Sequence, residues 1–120
     1  MPEKIVLMCT HGAEDPERLT IPFVLAVAAQ ASEVKALIVL QAEAVRVGCP
    51  GYADPIQAPG YPPLKDLLEA YFDEGGELYL CALCVSSRKL KAADLIEGAK
   101  VVNATTVISE ITEASSVLVY

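Results

Sequence analysis

Two cysteines three residues apart are the residues of this sequence whose types and spacing most directly suggest chemistry. Cys81 and Cys84 lie in LYLCALCVSSRKL, residues 78–90, where an apolar run gives way to serines and basic residues. A CxxC pair can react through a thiolate, hold a metal, or pack as two small apolar side chains. A helix N-terminus and the nearby cation of Arg88 would both favour a thiolate at Cys81, which supports the first of these.

Metal binding and inert packing stay open as alternatives for the CxxC pair. A structural zinc site needs four nitrogen or sulfur ligands, and the sequence holds a single CxxC pair. A mononuclear site would have to recruit Cys9, His11 or Cys49. The sequence also lacks the GxGxxG and GxxxxGK[ST] loops that hold nucleotide phosphates. The leading interpretation therefore includes neither a metal nor a cofactor, and a cysteine-based metal site remains an alternative.

Three further residues have a functional and a structural interpretation. His11, in CTHG, would hydrogen-bond a thiol or polarise a substrate, or it is a simple turn residue. Cys49, in VGCPGY, is expected to be the most exposed cysteine, and it is either a resolving thiol for Cys81 or a plain loop residue. Cys9 ends an apolar run, so we interpret it as part of the core.

Strand-like and helix-like segments that alternate along the chain must position these residues. Strands are predicted at residues 4–8, 34–40, 78–81, 99–102 and 116–120. The helices between them are predicted at about residues 15–32, 63–72, 86–97 and 105–112. In the last helix we expect Ile108 and Ile111 to face inward.

The first helix carries clear signals at its start. Asp15 can cap its N-terminus, and Pro16 suits the first helical position. Pro22 interrupts the pattern, so it predicts either a kink or a restart capped by Thr20.

The third helix is predicted to begin at Ser86 or Ser87, because serine is a preferred N-cap residue. That start places Arg88 and Lys89 in the first turn of the helix, five or more residues after Cys81.

Residues 41–63 interrupt the alternation with five prolines and three glycines. Only QAEAVRV within them could form a short helix. A connection of this length is usually functional, disordered or part of an interface. Its tyrosines, Tyr52 and Tyr61, are expected either to line a pocket or to contact a neighbouring subunit.

The pattern as a whole predicts one α/β domain over residues 1–120, a three-layer αβα sandwich with a mostly parallel five-stranded sheet. In such folds, chemistry gathers at the carboxyl ends of the strands. All four cysteines and the single histidine follow or end predicted strands. We therefore expect a candidate site at that edge of the sheet.

Composition narrows the classes of partner. The net charge of −7 disfavours binding to nucleic acid and to anionic membranes. Hydrophobic residues make up 53% of the 120 residues, a share that predicts a homo-oligomer. The start, MPEKIVLMC, lacks the pattern of a signal peptide, so we expect a cytoplasmic protein with reduced thiols.

The sequence resembles the DsrE/DsrF-like (DsrEFH/TusD-like) family of small sulfur-relay proteins over essentially its whole length. The likeness rests on THG-x-EDPERLTIPFVLAVAA after the first strand, on QAEAV after the second, and on a Pro/Gly-rich loop. It is most specific in PLKDLLEAYFDEGGELYLCALCVSSRKL, residues 63–90, which leads to a short C-terminal βαβ unit ending in ASSVLVY. The sequence departs from the family pattern at Ala44, where a glycine is expected, and in its second cysteine, Cys84.

The resemblance implies a flavodoxin-like sandwich and assembly into a dimer, trimer or hexamer. It also implies that Cys81 accepts sulfane sulfur as a persulfide from a protein donor and passes it to an acceptor. From the residues themselves we expect the loop at residues 48–62 to shelter this persulfide and Cys84 to release the sulfur by forming an internal disulfide. We also expect Arg88 and His11 to stabilise the charged sulfur. The alternatives are a non-catalytic oligomeric module that binds a ligand or acts as a scaffold, and a cysteine-based metal site.

Overall fold

The computed structural model describes residues 3–120 and contains one parallel five-stranded sheet. The strands are β1 (Lys4–Cys9), β2 (Lys35–Leu40), β3 (Leu78–Cys81), β4 (Ala99–Val102) and β5 (Ser116–Val119). Their order across the sheet is β4-β3-β2-β1-β5, and every pairing is parallel. The helices are α1 (Pro16–Ala31), α2 (Leu64–Asp73), α3 (Ala82–Ser87) and α4 (Ala104–Glu113). The predicted α/β class with a parallel sheet is confirmed.

Two hydrophobic cores lie on opposite faces of the sheet. Side chains alternate between the faces along each strand, so Leu7 belongs to the larger core and the adjacent Met8 to the smaller one. The larger core packs against α1 and α2, whereas the smaller core contacts α4 through Val107 and Ile111. One face is therefore covered by several elements, and the other largely by a single helix.

Helix α1 is continuous through Pro22. The Asp15 carboxylate accepts a hydrogen bond from the Arg18 N–H at 3.1 Å, which is the predicted N-cap. Thr20 donates its hydroxyl hydrogen to the Pro16 carbonyl at 2.6 Å. The predicted restart at Thr20 is wrong, because that side chain bonds back along an unbroken helix; a kink at Pro22 stays a prediction.

A buried hydroxyl group of helix α2 connects the amino ends of β2 and β3. The Tyr71 hydroxyl hydrogen-bonds the Ala36 carbonyl at 3.0 Å and the Ile38 N–H at 3.2 Å, both in β2. It also contacts the Glu77 carbonyl at 2.6 Å and N–H at 3.2 Å, directly before β3. The four contacted groups belong to two different segments of the chain. The amino ends of β2 and β3 are thus held together by one side chain.

The segment after β2 forms a 3₁₀ helix at Ala42–Gly48, which agrees with the predicted short helix. Gly48 packs against the Leu80 side chain, where an added Cβ would come within 2.7 Å of Leu80 Cδ2. A larger residue would push this segment off β3. The 3₁₀ helix therefore lies close beside the end of the strand that carries Cys81.

Two predictions about the later helices are wrong. Helix α3 begins at Ala82 with Cys81 as its N-cap, so it starts five residues earlier than the serines suggested. Only a 3₁₀ turn, Ala92–Asp94, follows before β4. In α4, Ile108 is 58% exposed, whereas Val107 takes the buried position beside Ile111. Val107 and Ile108 lie four and three residues before Ile111, so both spacings suit that helix face, and it is Val107 that packs in the smaller core.

Candidate functional site

Cys81 occupies the junction between a strand and a helix. It is the last residue of β3 and also the N-cap of α3, so no loop separates the two elements. Its backbone is extended, with φ −59° and ψ 120°, and the residues after it enter the helix. The sulfur is partly buried at the carboxyl edge of the sheet. This is the edge at which parallel α/β sheets bind ligands.

The surroundings of Cys81 favour its thiolate. Partial burial raises the pKa of the thiol, but the Cys84 thiol, the N–H groups of Cys84 and Leu83, and the Arg88 cation outweigh it and lower the pKa. The N–H groups fall outside the geometry of a standard capping hydrogen bond, so they act on the sulfur as nearby dipoles. A thiolate is the nucleophilic form of cysteine. Cys81 therefore has the features of a reactive thiol.

The pKa of the Cys84 thiol is shifted in the opposite direction to that of Cys81. Burial and the neighbouring Cys81 sulfur both raise the pKa of the Cys84 thiol. Its sulfur accepts a hydrogen bond from the Ala42 N–H at 3.2 Å. Of the two thiols, Cys81 is therefore the one whose surroundings favour the thiolate, and Cys84 is the one whose surroundings favour the neutral thiol.

Arg88 lies beside the cysteine pair from the end of α3. Its Nη1 donates to the Cys84 carbonyl at 3.3 Å, and its Nε contacts Glu43 Oε2 at 3.4 Å. The same carboxylate oxygen accepts from Arg46 Nε at 2.6 Å. The predicted place of Arg88 in the first turn of a helix is wrong, since it follows the last turn of α3. It nevertheless lies close enough to lower the pKa of both cysteines.

Glu43 is a site residue that sequence reasoning missed. It lies in the 3₁₀ helix after β2, forty-five positions before Arg88, and joins that residue to Arg46. Its three-residue spacing from Arg46 could have indicated the local ion pair. The contact with Arg88 depends on the adjacency of β2 and β3, which no local pattern reveals.

An apolar groove opens beside Cys81 on the α4 face of the sheet. Its volume is about 480 Å³, within the range of pockets that hold small molecules. The strand ends contribute Met8 and Val102, α3 contributes Leu83, and α4 contributes Val107 and Ile108. The sequence predicted shelter for Cys81 from the loop around residues 48–62. The structure instead places α4 across from it, so this expectation is corrected.

The remaining predicted residues lie apart from the groove. His11 is on the same sheet edge, but its Nδ1 contacts Glu14 Oε2 at 2.8 Å. Cys49 lines two other depressions, one with Lys89 and Lys91 and one near α2. The structure therefore gathers Cys81, Cys84 and Arg88, and gives His11 and Cys49 different neighbours.

Cys9 ends β1 with its sulfur inside the larger core. It is 1% exposed, and burial raises its pKa to about 12. The sulfur points back toward the Leu7 carbonyl at 3.9 Å. This agrees with the interpretation of Cys9 as a packing residue.

Two general features complete the description. Within residues 3–120, His, Cys, Asp and Glu side chains form no group of three or more that could hold a metal ion. Over the same residues, no helix is long and apolar enough to cross a membrane.

Solved structures with the same architecture come from several organisms. The ychN protein of E. coli superposes with a TM-score of 0.81 at 24% identity, over 98% of this chain and 99% of that one. A protein of unknown function from Methanobacterium thermoautotrophicum gives 0.71 at 17% identity, over 98% and 99% of the two chains. One from Bacteroides thetaiotaomicron gives 0.69 at 12% identity, over 98% and 95%. At these identities the likeness establishes the fold.

Family membership rests on the sequence comparison. No curated protein matches the chain. The family model described as DsrE/DsrF-like matches residues 3–120, which include the strand end and helix start that carry Cys81. With this match over nearly its full length, the chain belongs to the DsrE/DsrF-like family, a family of sulfur-relay type.

Proposed function

We propose that this protein is a sulfur carrier that accepts sulfane sulfur on Cys81 as a persulfide and passes it to an acceptor thiol. The observation that carries the proposal is the position of the Cys81 sulfur: at the junction of β3 and α3, beside backbone N–H groups and Arg88, on an open groove. Family membership supports the same chemistry. A cytoplasmic setting would keep the thiols reduced.

The transfer needs two displacement steps. The Cys81 thiolate attacks the terminal sulfur of a donor persulfide, the donor S–S bond breaks, and the donor leaves as a thiolate. The new Cys81 persulfide carries its negative charge near the N–H groups of α3 and the Arg88 cation. An acceptor thiolate then attacks the terminal sulfur and releases the Cys81 thiolate unchanged.

Intact-mass measurement after treatment with inorganic polysulfide tests the proposal. The wild-type protein should gain the mass of sulfur, Cys81→Ser should not, and Cys49→Ser should gain it like the wild type. Brief reaction with a thiol-blocking reagent before polysulfide should prevent the gain. An unmodified wild type, or equal modification of Cys81→Ser, would contradict the proposal.

A second proposal concerns assembly, because apolar side chains remain exposed around the groove. Leu83 is 80% exposed, Ile108 58% and Val119 70%. Such residues on one side of a small domain favour burial against another copy of the chain. This observation also favours the alternative of a non-catalytic oligomeric module that holds an apolar ligand.

Light scattering of purified protein tests this assembly. We expect a mass of two or more chains, and the double variant Leu83→Glu, Ile108→Glu should have a lower mass. Val24→Glu, at a partly buried position of α1, is the control for the effect on folding of a glutamate at an apolar position. A monomeric wild type at all accessible concentrations would contradict it. Slow thiol labelling of Cys81 in the native assembly would favour the non-catalytic alternative.

A further inference from the structure

We propose that Cys84 discharges the sulfur atom carried on Cys81 as hydrosulfide, by forming a Cys81–Cys84 disulfide that an external dithiol then reduces. This inference rests on the proposed function, since it begins with the loaded Cys81. It adds a second outcome: reductive release of sulfide, independent of an acceptor thiol. The protein would thereby couple a sulfane-sulfur donor to a dithiol reductant.

The spacing of the two cysteines allows the bond. Cys81 is the N-cap of α3, and Cys84 is the third residue of that helix. Residues three apart on a helical turn have Cβ atoms about 5–6 Å apart, whereas a disulfide needs Cβ atoms about 3.5–4.5 Å apart, so this turn must tighten by about 1–2 Å. Both cysteines are free and partly buried. That adjustment falls on the first turn of α3, where Cys81 is the N-cap rather than a residue inside the helix.

The neighbours of Cys84 support its role as the attacking thiolate. The Ala42 N–H contacts its sulfur at 3.2 Å, and the Arg88 cation lies beside it. In the resting state the neighbouring Cys81 sulfur keeps the pKa of Cys84 raised. Persulfidation changes Cys81 Sγ into one half of a neutral S–S bond and moves the charge to the outer sulfur. The Ala42 N–H and the Arg88 cation then favour the Cys84 thiolate, with less repulsion from Cys81 Sγ.

The reaction balances in atoms and electrons. The Cys84 proton passes to the charged outer sulfur, and the Cys84 thiolate attacks Cys81 Sγ; the Sγ–S bond of the persulfide breaks, and the outer sulfur leaves as HS⁻. The outer sulfur is reduced by two electrons, and the two cysteine sulfurs are oxidised by one each. A small-molecule or protein dithiol then exchanges with the disulfide, regenerates Cys81 and Cys84, and is itself oxidised.

The other two cysteines are poorly placed for this step. Cys9 is buried in the larger core, and Cys49 lines depressions on a different part of the surface. The sequence left Cys49 open as a resolving thiol. The structure assigns that position to Cys84.

The test follows the fate of the sulfur after loading. Protein is treated with inorganic polysulfide, freed of the donor by gel filtration, and incubated without any thiol. The wild type should release one hydrosulfide for each persulfide and lose two hydrogen atoms in mass relative to the reduced protein. Cys84→Ser should keep its persulfide at least about tenfold longer, because it has no internal nucleophile. Cys49→Ser should release like the wild type.

Dithiothreitol is then added as the dithiol reductant. The outcomes distinguish the release of hydrosulfide by Cys84 from the carriage of sulfur on Cys81. Wild type should then turn over, producing sulfide in several loading cycles. Equal release rates for wild type and Cys84→Ser, or release without a disulfide, would overturn this inference while leaving the carrier intact. Failure of Cys84→Ser and wild type alike to load at Cys81 would instead refute the carrier itself.

Discussion

The ends of β1 and β3 offer the same residue type at the same kind of position, with opposite consequences. Cys9 ends β1 and Cys81 ends β3. After β1 the chain continues for six residues before α1, whereas β3 passes directly into α3. Burial raises the pKa of Cys9 to about 12; the groups around Cys81 lower its pKa. Cys9 is buried in the core, whereas Cys81 lies beside the N–H groups of α3 and Arg88, so a place at the sheet edge does not by itself make a cysteine reactive.

The comparison predicts its largest effect in the rates of thiol alkylation. With a pKa near 12, Cys9 has roughly a thousandfold less thiolate at neutral pH than an ordinary cysteine, and its burial slows access further. Native protein treated with iodoacetamide should be labelled at Cys81 at least about a thousandfold faster than at Cys9. Peptide mass spectrometry over time measures both rates. The Cys81 rate should also reach its plateau at a lower pH than that of a free cysteine, and comparable rates at the two positions would break the comparison.

Substitution of Cys9 should reduce the stability of the protein more than substitution of Cys81 does. Cys9→Ala leaves a small cavity in the larger core, so we expect a loss of about 1–2 kcal/mol in the free energy of unfolding. Cys81→Ala, at a partly exposed position, should change it by less than about 0.5 kcal/mol. Urea unfolding of both variants measures the two values. Equal losses would show that Cys81 is as much a packing residue as Cys9.

The pH dependence of stability sharpens the same contrast. Because the folded state raises the pKa of Cys9 from its ordinary 9.0 to about 12, unfolding releases a proton once the pH exceeds 9. The Cys9 contribution is fully present below pH 9 and is lost as the pH rises toward 12. The stability advantage of wild type over Cys9→Ala should therefore shrink by about 1 kcal/mol between pH 8 and pH 10. A constant difference across this interval would argue against a buried neutral thiol.

The smallest predicted effect concerns Arg88. Its removal in Arg88→Ala should raise the pKa of Cys81 and slow alkylation at neutral pH by about threefold, less at high salt, because the cation is partly exposed. Arg46→Ala is the matched control, since Arg46 binds the same Glu43 carboxylate from the side of the 3₁₀ helix. A pH–rate profile for each variant measures the shift. An equal effect of both substitutions would assign the contribution to Glu43 rather than to Arg88.

Much of the architecture can be predicted from local patterns of apolar residues in the sequence. The apolar runs indicated the strands and their parallel class, because β1 and β2 in the middle of the sheet are buried on both faces. The placement of Cys81 at a strand end followed directly from LYLC. These features depend on residues that are neighbours in the sequence.

The details of the site depended on contacts that the sequence does not display. Serine is the stronger N-cap residue, so the start of α3 at Cys81 was missed, although Ala82 and Leu83 are good helix formers. The exposure of Ile108 was missed because Val107 and Ile108 are both apolar and only the shape of the smaller core selects between them. The contact of Glu43 with Arg88 joins segments brought together by sheet order.

The Tyr71 hydroxyl has a mechanical consequence. It hydrogen-bonds both β2 and the residue before β3, and so joins the amino ends of these strands at the margin of the sheet opposite Cys81. We expect adjustments to a docking molecule to be confined to the carboxyl margin, where β3 turns into α3 and α4 borders the groove. The strands would then stay joined at their amino ends and move apart only at their carboxyl ends, where the sulfur is exchanged.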